Sequence, residues 1–543
     1  MYPGSYAIKH PDRAAFIMAS SGEAVSYAAF ERRSNQLAHL LRDQGLKRLD
    51  HYAIFMENND RYLESCAAGE RSGLYYTCVN SFLKADELAY ILQNSQSQAL
   101  ITSYDKLDLA VQALEQCPLV RTLLVCGPQS EPLPRIAGVR SEDFAQACQL
   151  YPDSPIADES LGTPMLYSSG TTGRPKGILR PLPDQAPSKP LPLFDFLFKL
   201  WRYREDMMVL SPAPLYHAAP QAAVSLTIRA GGTVVIMEKF DPLQYLSLVE
   251  QYKISHSQLV PTMFSRMLKL SDEQRHAFDL SSLEVAIHAA APCPPQVKEA
   301  MIDWWGPIIH EYYGATEGLG FTACDTEQWL AHRGTVGKVL FGDLHILDEA
   351  MQVCPTGQPG TVWFKTGSPF EYFNDPEKTR EATSADGTMT TVGDVGYVDN
   401  DGFLYLTDRS SFMIICGGVN IYPQECENLL ITHPWVEDAA VFGVPNPDLG
   451  EEVKAVVQLM PGTEPSKAVE AELIAFCRAT LAIQKCPRSI DFEASLPRLP
   501  TGKLYKRAIT SSAPIPAKTL AKRSSVSSCS KPMACRFASK STA

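Results

Sequence analysis

Residues 166–177 form a segment with a high density of hydroxyl, glycine and basic side chains. They read Leu-Tyr-Ser-Ser-Gly-Thr-Thr-Gly-Arg-Pro-Lys-Gly. Glycine allows backbone N–H groups to approach a polyanion closely, hydroxyls donate to phosphate oxygens, and Lys176 supplies positive charge. The spacing differs from the Walker A loop, in which four residues separate the first glycine from a Gly-Lys-Ser/Thr end. The segment therefore predicts a phosphate-binding loop of another kind, with a flexible surface linker as the alternative.

The bulk composition narrows the class of protein. A chain of 543 residues with 45% apolar and 20% charged residues is predicted to form two to four globular domains. The formal net charge of -12 argues against general binding to nucleic acid or to anionic membranes. The 14 cysteines show no Cys-x-x-Cys spacing, and the first residues lack the pattern of a signal peptide. We therefore expect free thiols, a cytoplasmic location and no integral membrane segment.

The order of sequence patterns indicates an α/β fold. Helical periodicity over Tyr27–Gly45 and Asp86–Ser95 alternates with the strand-like runs His51–Met56 and Ala99–Thr102. This alternation continues to about residue 300 and predicts mixed and parallel sheets covered by helices. Beyond about residue 330, short strand-like runs and a hairpin turn at Asn400-Asp-Gly402 predict a β-rich subdomain.

Three parts of the chain are expected from these patterns. Residues 1–408 would form a large N-terminal domain, and residues 409–508 a small α+β C-terminal domain. Residues 509–543 would form a disordered basic tail, because residues 511–543 contain six Lys or Arg and no Asp or Glu.

The heptapeptide Tyr312–Gly318 combines aromatic rings, a glycine turn, a hydroxyl and a carboxylate. Tyr313 offers a face on which adenine can stack, and Thr316 can donate to a phosphate. Glu317 is a hard oxygen ligand, and Mg²⁺ prefers one or two such carboxylates together with phosphate oxygens. A structural turn beside a strand is the alternative interpretation.

Later segments contribute further polar groups. Asp394 follows a glycine and can accept hydrogen bonds from both hydroxyls of a ribose, although a solvated loop aspartate is at least as common. Arg409 could reach the same sugar or a phosphate, or form an ordinary salt bridge. Gly417 and Gly418 would let a thin ligand pass close to the backbone, or form only a turn. Lys503, after a Pro-Thr-Gly loop, can neutralise charge on a carboxylate and an α-phosphate, with a plain surface lysine as the alternative.

Together and in this order, these segments resemble those of the adenylate-forming superfamily, which contains acyl-CoA synthetases, firefly-type luciferases and peptide-synthetase adenylation domains. The resemblance covers roughly residues 5–508. It implies a large N-terminal domain that binds ATP and a carboxylate, and a small, mobile C-terminal domain that swings between two poses. It also implies formation of acyl-AMP and pyrophosphate, followed by attack of a thiol and release of AMP.

The resemblance implies a set of nucleotide contacts. The β- and γ-phosphates would be held by loop residues Ser168, Ser169, Gly170, Thr171, Thr172, Gly173 and Lys176. The adenine would stack on Tyr313, beside Ala290, Ala291 and Pro292.

The remaining contacts concern catalysis and the sugar. Thr316 and Glu317 would serve the α-phosphate and Mg²⁺, with Glu317 as the metal ligand. Asp394 and Arg409 would hold the ribose. Lys503 would bridge the carboxylate and the α-phosphate during adenylation only.

The resemblance also indicates where the acid binds. His217, in the segment Pro214–Pro220, matches the gate of the acyl pocket, while an isolated histidine would more often be a core residue. Small and apolar residues at the candidate pocket positions favour a bulky hydrophobic acid, such as a fatty, aromatic or polycyclic one. These positions are Ala218, Ala219, Ala222, Ala223, Gly314, Gly318, Leu319 and Gly320.

Two further features bear on the class of enzyme. Family members usually carry Lys or Asp at the pivot between poses, where this chain has Ser411, a small residue that is compatible with a hinge. Only about 35 residues follow Lys506, too few for a carrier domain, so we expect free coenzyme A as acceptor. The expected partners are a carboxylic acid and coenzyme A, without nucleic acid, and a homodimer stays open. A kinase or NTPase, a luciferase-like enzyme and a nucleotide-binding module without turnover are the alternatives.

Overall fold

The computed structural model describes residues 2–128, 132–168, 174–189, 191–367, 370–409, 412–416 and 419–498, together with residues 504, 506 and 509. The helices are α1 (Pro3–Lys9), α2 (Tyr27–Asp43), α3 (Tyr62–Ser72), α4 (Ala85–Asn94), α5 (Leu107–Leu114), α6 (Phe144–Gln149), α7 (Pro192–Leu200), α8 (Ala218–Ala230), α9 (Pro242–Tyr252), α10 (Pro261–Leu268), α11 (Asp272–Arg275), α12 (Pro295–Trp305), α13 (Thr326–Ala331), α14 (Pro376–Glu381), α15 (Pro423–Leu430) and α16 (Lys467–Thr480).

The strands are β1 (Ala14–Met18), β2 (Ala24–Ser26), β3 (His51–Phe55), β4 (Tyr75–Cys78), β5 (Ala99–Ser103), β6 (Thr122–Cys126), β7 (Arg140–Asp143), β8 (Thr163–Pro164), β9 (Leu166–Tyr167), β10 (Gly177–Leu179), β11 (Met208–Ser211), β12 (Thr233–Ile236), β13 (His256–Leu259), β14 (Val285–His288), β15 (Ile309–Gly314), β16 (Phe321–Cys324), β17 (Lys338–Phe341), β18 (Asp343–Leu347), β19 (Gly360–Lys365), β20 (Glu371–Tyr372), β21 (Asp394–Val398), β22 (Leu404–Arg409), β23 (Ile414–Cys416), β24 (Val419–Ile421), β25 (Val436–Asn446), β26 (Gly450–Leu459) and β27 (Ser489–Phe492).

Two large sheets with parallel centres form the first part of the chain. One has the strand order β17-β16-β15-β14-β13-β11-β12-β1-β2, with parallel pairing from β15 to β1 and antiparallel edges. The other has the order β7-β6-β5-β3-β4-β8 and is parallel throughout. Its strands β3, β5 and β6 are buried at every position, as expected when helices cover both faces of a parallel sheet.

The β-rich region after residue 330 is also present. Strands β18, β19, β21 and β22 form an antiparallel sheet, and β21 and β22 are joined by the predicted turn, in which Gly402 has a φ of 81°. A small antiparallel sheet of order β20-β10-β9 joins this region to the hydroxyl-rich segment. The predicted α/β class with mixed and parallel sheets and a β-rich subdomain is therefore confirmed.

The last described elements build a separate small core. Strands β24, β23, β26 and β25 pair antiparallel, and β27 joins β26 in parallel. Helices α15 and α16 cover this sheet over a core that includes Leu430, Val441, Val457 and Leu473. This is the predicted α+β arrangement, while the boundaries 1–408, 409–508 and 509–543 stay a proposal.

Local sequence signals explain individual helix ends. In α2, Ser26 Oγ accepts a hydrogen bond from the backbone N–H of Ala29, which caps the first turn. Gly45, the predicted end of this helix, has a φ of 92° just beyond the last helical residue, Asp43. In the described ranges, no helix is long and apolar enough to cross a membrane.

Candidate active site

The carboxyl ends of the parallel strands bring several predicted site residues to one edge of the first sheet. His217 follows β11, Ala290 follows β14, and Tyr313 lies at the end of β15. Since β11, β13, β14 and β15 run in the same direction, their carboxyl ends meet at the same edge. In open α/β sheets, ligands bind outside these ends.

The hydroxyl-rich segment connects the two strands of a β-hairpin. β9 and β10 pair antiparallel, and at the base of the loop Ser168 N donates to Lys176 O at 2.8 Å. Ser168 Oγ also accepts a hydrogen bond from Lys176 N at 3.3 Å. This hairpin places Lys176 beside Tyr372, with its Nζ 4.4 Å from the ring centre. Burial, with a smaller effect of the Lys378 ammonium, holds the pKa of Lys176 below its usual value, although Glu317 acts in the opposite direction.

Glu317 lies beside this lysine and is held by Tyr372. The carboxylate is buried, and its Oε1 accepts a hydrogen bond of 2.8 Å from the Tyr372 hydroxyl. Tyr372 therefore contacts both charged groups, the lysine through its ring face and the glutamate through its hydroxyl. Two segments far apart in the sequence thus bring a basic and an acidic side chain, Lys176 and Glu317, to the same tyrosine.

The turn that carries Thr316 and Glu317 is tight. Gly318 N donates to Ala315 O at 2.9 Å, and Gly318 has a φ of 74°, which glycine adopts without strain. A Cβ at Gly318 would lie 3.0 Å from the guanidinium of Arg180, which itself donates to the Thr316 carbonyl. The Arg180 guanidinium therefore packs against this turn and stabilises it through the Thr316 carbonyl.

Asp394 is hydrogen-bonded to Tyr313, the aromatic residue of the segment Tyr312–Gly318. Its Oδ2 accepts a hydrogen bond of 2.8 Å from the Tyr313 hydroxyl, and only 8% of the residue is exposed. Asp394 is also the register partner of Arg409 across β21 and β22. Directly opposite residues of an antiparallel pair have Cα atoms about 4.5–5.5 Å apart, so the backbones of the two residues predicted to hold one sugar are neighbours.

His217 is the residue just before α8, makes no side-chain capping bond to it, and lines the same part of the site. Burial lowers its pKa to about 3, so the imidazole is neutral at physiological pH. Its Nε2 has no hydrogen-bond partner among the residues that the structure describes. The ring lies 4.3 Å from that of Tyr216, so an aromatic pair lines this part of the site.

One cleft of about 2170 Å³ unites these groups. Its walls include these predicted nucleotide and acid contacts: Ser168, Lys176, His217, Ala290, Ala291, Pro292, Tyr313, Gly314, Thr316, Glu317, Gly318 and Asp394. Of the other candidate acid-pocket positions, Ala218, Ala219, Ala222 and Gly320 line the cleft, whereas Ala223 and Leu319 are buried and do not line it. The predictions for Ser169, Gly170, Thr171, Thr172, Gly173, Ser411, Gly417, Gly418 and Lys503 lie outside the described residues, as do the side chain of Arg409 and the tail 511–543.

The donor set of the cleft fits magnesium bound partly by substrate. Across the described ranges, no group of three His, Cys, Asp or Glu side chains could by itself hold a metal ion. Mg²⁺ is usually held by one or two carboxylates plus phosphate oxygens and water rather than by an all-protein cage. Glu317, a buried carboxylate whose charge acts on Lys176 of the predicted phosphate loop, matches that requirement.

Sequence reasoning did not single out Arg180 or Tyr372. Alternation along β10 and its flanks places Lys176, Ile178 and Arg180 on one side of the chain, so the period of two was a usable signal for the arginine. Tyr372 had no local signal, because it reaches Glu317 through the pairing of β20 with β10.

Comparison with known proteins agrees with this geometry. The model of the AMP-binding enzyme family matches residues 5–371, and that of the AMP-binding enzyme C-terminal domain matches residues 425–503. Feruloyl-CoA synthase of an Amycolatopsis species is 32% identical over 510 residues, which are 93% of this chain and 95% of that protein. A medium/long-chain-fatty-acid–CoA/3-oxocholest-4-en-26-oate–CoA ligase of Mycobacterium tuberculosis is 30% identical over 91% of this chain and 92% of that protein. The structure of ATP-bound MatB from Rhodopseudomonas palustris has a TM-score of 0.76 at 26% identity, covering 94% of this chain and 99% of that chain.

The fold and the cleft define an adenylate-forming enzyme. The chain belongs to the AMP-binding enzyme family, whose model covers well over half of its length. The predicted class, an AMP-forming acid–thiol ligase of the acyl-CoA synthetase type, is confirmed by these relatives.

Proposed function

We propose that this chain is an ATP-dependent carboxylic acid:CoA ligase that converts a hydrophobic acid to its CoA thioester through an acyl-AMP intermediate. The observation that carries the proposal is that Lys176, Glu317 and Asp394 line one cleft. They belong to three of the separate segments in which the sequence resembles the adenylate-forming superfamily, here called the signature segments. A phosphate loop, a buried carboxylate and a sugar-binding aspartate in one cleft suit a nucleoside triphosphate.

In the first half-reaction, a carboxylate oxygen of the acid attacks the α-phosphorus of ATP. The bond from that phosphorus to the oxygen bridging to the β-phosphate breaks, and pyrophosphate leaves. Ser168 and Lys176, with loop residues 169–173, would hold the leaving pyrophosphate. Lys503 would neutralise charge between the carboxylate and the α-phosphate.

Mg²⁺ bound at Glu317 would neutralise phosphate charge during this step. Thr316, whose carbonyl accepts from Arg180, would present its hydroxyl to the α-phosphate. Tyr313 would lie against the adenine, next to Ala290–Pro292, while Asp394 and Arg409 would hold the ribose. The hydrogen bond from Tyr313 to Asp394 couples the base and sugar positions.

In the second half-reaction, the sulfur of coenzyme A attacks the acyl carbon. The bond from that carbon to the AMP oxygen breaks, AMP leaves, and the thiol proton passes to solvent. Gly417 and Gly418 would line the path of the thiol arm, and rotation of the C-terminal domain at Ser411 would exchange the two poses. A homodimer and a cytoplasmic location complete the proposal, to be checked by light scattering and by cell fractionation.

The acid is proposed to be a fatty or aromatic one. Near His217, the cleft wall formed by α8 includes the small residues Ala218, Ala219 and Ala222, together with Pro220 and Gln221. The relatives named for feruloyl and for medium- and long-chain fatty acyl groups support the same choice. The neutral His217 imidazole would act as a gate rather than as a charged partner of the carboxylate.

The test is a panel of fatty, aromatic and polycyclic acids, with acetate as the control acid. Each is incubated with the purified chain, ATP, Mg²⁺ and coenzyme A, and the products are separated by chromatography. We expect AMP, pyrophosphate and thioester in equal amounts for at least one bulky acid. Release of ADP without AMP would support the kinase or NTPase alternative and overturn the proposal.

A further inference from the structure

A cluster of polar side chains, separate from the predicted nucleotide contacts, lines the cleft at the opposite end of α8 from His217. There Glu70 Oε2 accepts a hydrogen bond of 2.8 Å from Arg229 Nη2. Glu70 Oε1 accepts from the hydroxyls of Ser225 at 3.1 Å and Tyr76 at 3.2 Å. All four residues line the cleft, and none of them belongs to the signature segments. We call Glu70, Tyr76, Ser225 and Arg229 the distal polar cluster.

The position of this cluster follows from the helix. Ala218, Ala222, Ser225 and Arg229 follow one another at helical spacing and all line the cleft. The rise of 1.5 Å per residue places Ser225 about 12 Å along the axis from His217. A ligand lying along α8 therefore meets the small residues Ala218, Ala219 and Ala222 first, with the amide of Gln221 bonded to Cys78 Sγ, and reaches the distal polar cluster at its far end.

The charge of the cluster decides what kind of group it can recognise. The Arg229 side chain is 3% exposed and is paired with Glu70, so the two charges cancel locally. The guanidinium is further held by Pro187 O at 3.2 Å and by the ring of Phe194 at 5.2 Å. A second carboxylate on the ligand would meet Glu70 at close range, whereas a neutral hydroxyl would not.

The cluster still has capacity for hydrogen bonds. The Ser225 hydroxyl donates its single proton to Glu70, so its oxygen can still accept a hydrogen bond from a ligand. Glu70 Oε2 accepts from Arg229 Nη2, and the Glu70 side chain is 20% exposed, so this oxygen has a further lone pair for a donor in the cleft. An alkyl or ring C–H at this point would bury these groups without any compensating bond.

We propose that the distal polar cluster is a specificity subsite that selects acids with a neutral hydroxyl roughly 10 Å from the carboxylate. The ligand hydroxyl would donate to Ser225 Oγ, whose own proton goes to Glu70, or to Glu70 Oε2. The inference rests on the proposed function, because it takes the carboxylate end of the acid to lie near His217.

The test compares acids of equal length that differ only at the far end. Binding of ω-hydroxydecanoate, decanoate and decanedioate, and of 4-hydroxycinnamate and cinnamate, to the full chain is measured by calorimetry. Within at least one of the two series, we expect the hydroxy acid to bind about tenfold more tightly than its unsubstituted partner. For the ten-carbon series, the diacid is expected to bind most weakly. Equal binding within both pairs, or no binding of any of these acids, would overturn the subsite.

Variants locate the effect. Ser225→Ala is expected to reduce the preference for the hydroxyl severalfold. The matched control is Ser265→Ala, because Ser265 also lines the cleft but its hydroxyl donates to Pro261 O within α10 rather than to Glu70. The control should retain the full preference; an equal change in both variants would contradict the assignment.

A second variant reverses the selection. Glu70→Gln leaves the Arg229 charge without its partner, so decanedioate should now bind more tightly than ω-hydroxydecanoate. If the diacid gains nothing in a folded Glu70→Gln protein, the charge argument is wrong.

The two proposals fail in distinguishable ways. Formation of thioester and AMP without any hydroxyl preference would reject the subsite and retain the ligase. Selective binding of hydroxy acids without AMP formation would retain the subsite and reject the ligase.

Discussion

The hydrogen bond between Tyr372 and Glu317 offers the sharpest test of the proposed Mg²⁺ site at Glu317. Tyr372→Phe removes the hydroxyl that lies 2.8 Å from Glu317 Oε1. The ring remains, so the contact of Lys176 with the ring face at 4.4 Å is kept. The substitution therefore isolates the orientation of one carboxylate from the position of the neighbouring lysine.

The size of the effect follows from burial. Glu317 and Tyr372 are 9% and 5% exposed, so water replaces the lost hydroxyl poorly. A hydrogen bond to a charged group contributes about 1.5–3 kcal/mol, which corresponds to about 10- to 150-fold in an equilibrium constant. Partners that orient a metal ligand typically change metal affinity or activity by about 10- to 100-fold. We expect the half-saturating Mg²⁺ concentration for adenylation to rise by about tenfold or more.

The assay is acid-dependent pyrophosphate release as a function of Mg²⁺ concentration. Tyr405→Phe is the matched control, because its hydroxyl also donates to a carboxylate, Asp399 Oδ2 at 3.2 Å, but Tyr405 does not line the cleft. Tyr372→Leu removes the ring as well and should impair the step further. An unchanged Mg²⁺ dependence in Tyr372→Phe, with unchanged turnover, would refute the assignment of the metal to an oriented Glu317.

Four further predictions follow from the same description. Lys503→Ala should abolish acyl-AMP formation, while coenzyme A still discharges preformed acyl-AMP in a single-turnover assay. Asp394→Asn should raise KM for ATP about tenfold with a smaller change in kcat, because a charged acceptor for the ribose is lost. In the structure, Lys298 Nζ lies 2.6 Å from Oε2 of the buried Glu311. Lys298→Met removes this ion partner and should lower the free energy of unfolding by about 3–5 kcal/mol in urea titrations. For His217, the folded pKa of about 3 lies below the unfolded value of about 6.5. Between about pH 6.5 and pH 3 the unfolded chain therefore binds one more proton than the folded chain, and stability falls as the pH falls through this range. His217→Gln should flatten this part of the pH dependence of the urea midpoint.

Each of these predictions has a defined contrary result. Equal loss of both half-reactions in the Lys503 variant would contradict two poses, and an unchanged KM for ATP would remove Asp394 from the sugar site. A Lys298→Met protein as stable as the parent would show that Glu311 is protonated at little cost. An identical acid slope in the His217 variant would show that other buried groups, such as His256, whose pKa burial lowers to about 4, dominate it.

Much of the fold was predictable because its signals are local. The helical spacing of α2 and the hairpin turn between β21 and β22 are each contained within a short stretch of chain. The order of strands within the sheets was not predictable in this way. The N-terminal strand β1 pairs with β12, and β20 pairs with β10, and no local pattern specifies such partners.

The candidate site shows the same division. The motifs themselves were sufficient to predict a nucleotide and a carboxylate as ligands, because each places a suitable side chain at a fixed spacing: Lys176, Thr316, Glu317 and Asp394. Their contacts were not predictable: Tyr313 and Asp394 are 81 positions apart, and Glu317 and Tyr372 are 55 apart.

By itself, the sequence determined the class of chemistry, because hydroxyls, glycines, lysines and carboxylates at fixed short spacings define which groups a loop can bind. Tertiary structure alone decided which of these groups face each other and what else shares their cleft. Glu70 and Arg229 are separated by 159 positions and meet only because α3 and α8 both border the cleft. The physical reason is that short-range patterns act over a few residues, whereas the pairing of parallel strands gathers their carboxyl ends from distant parts of the chain.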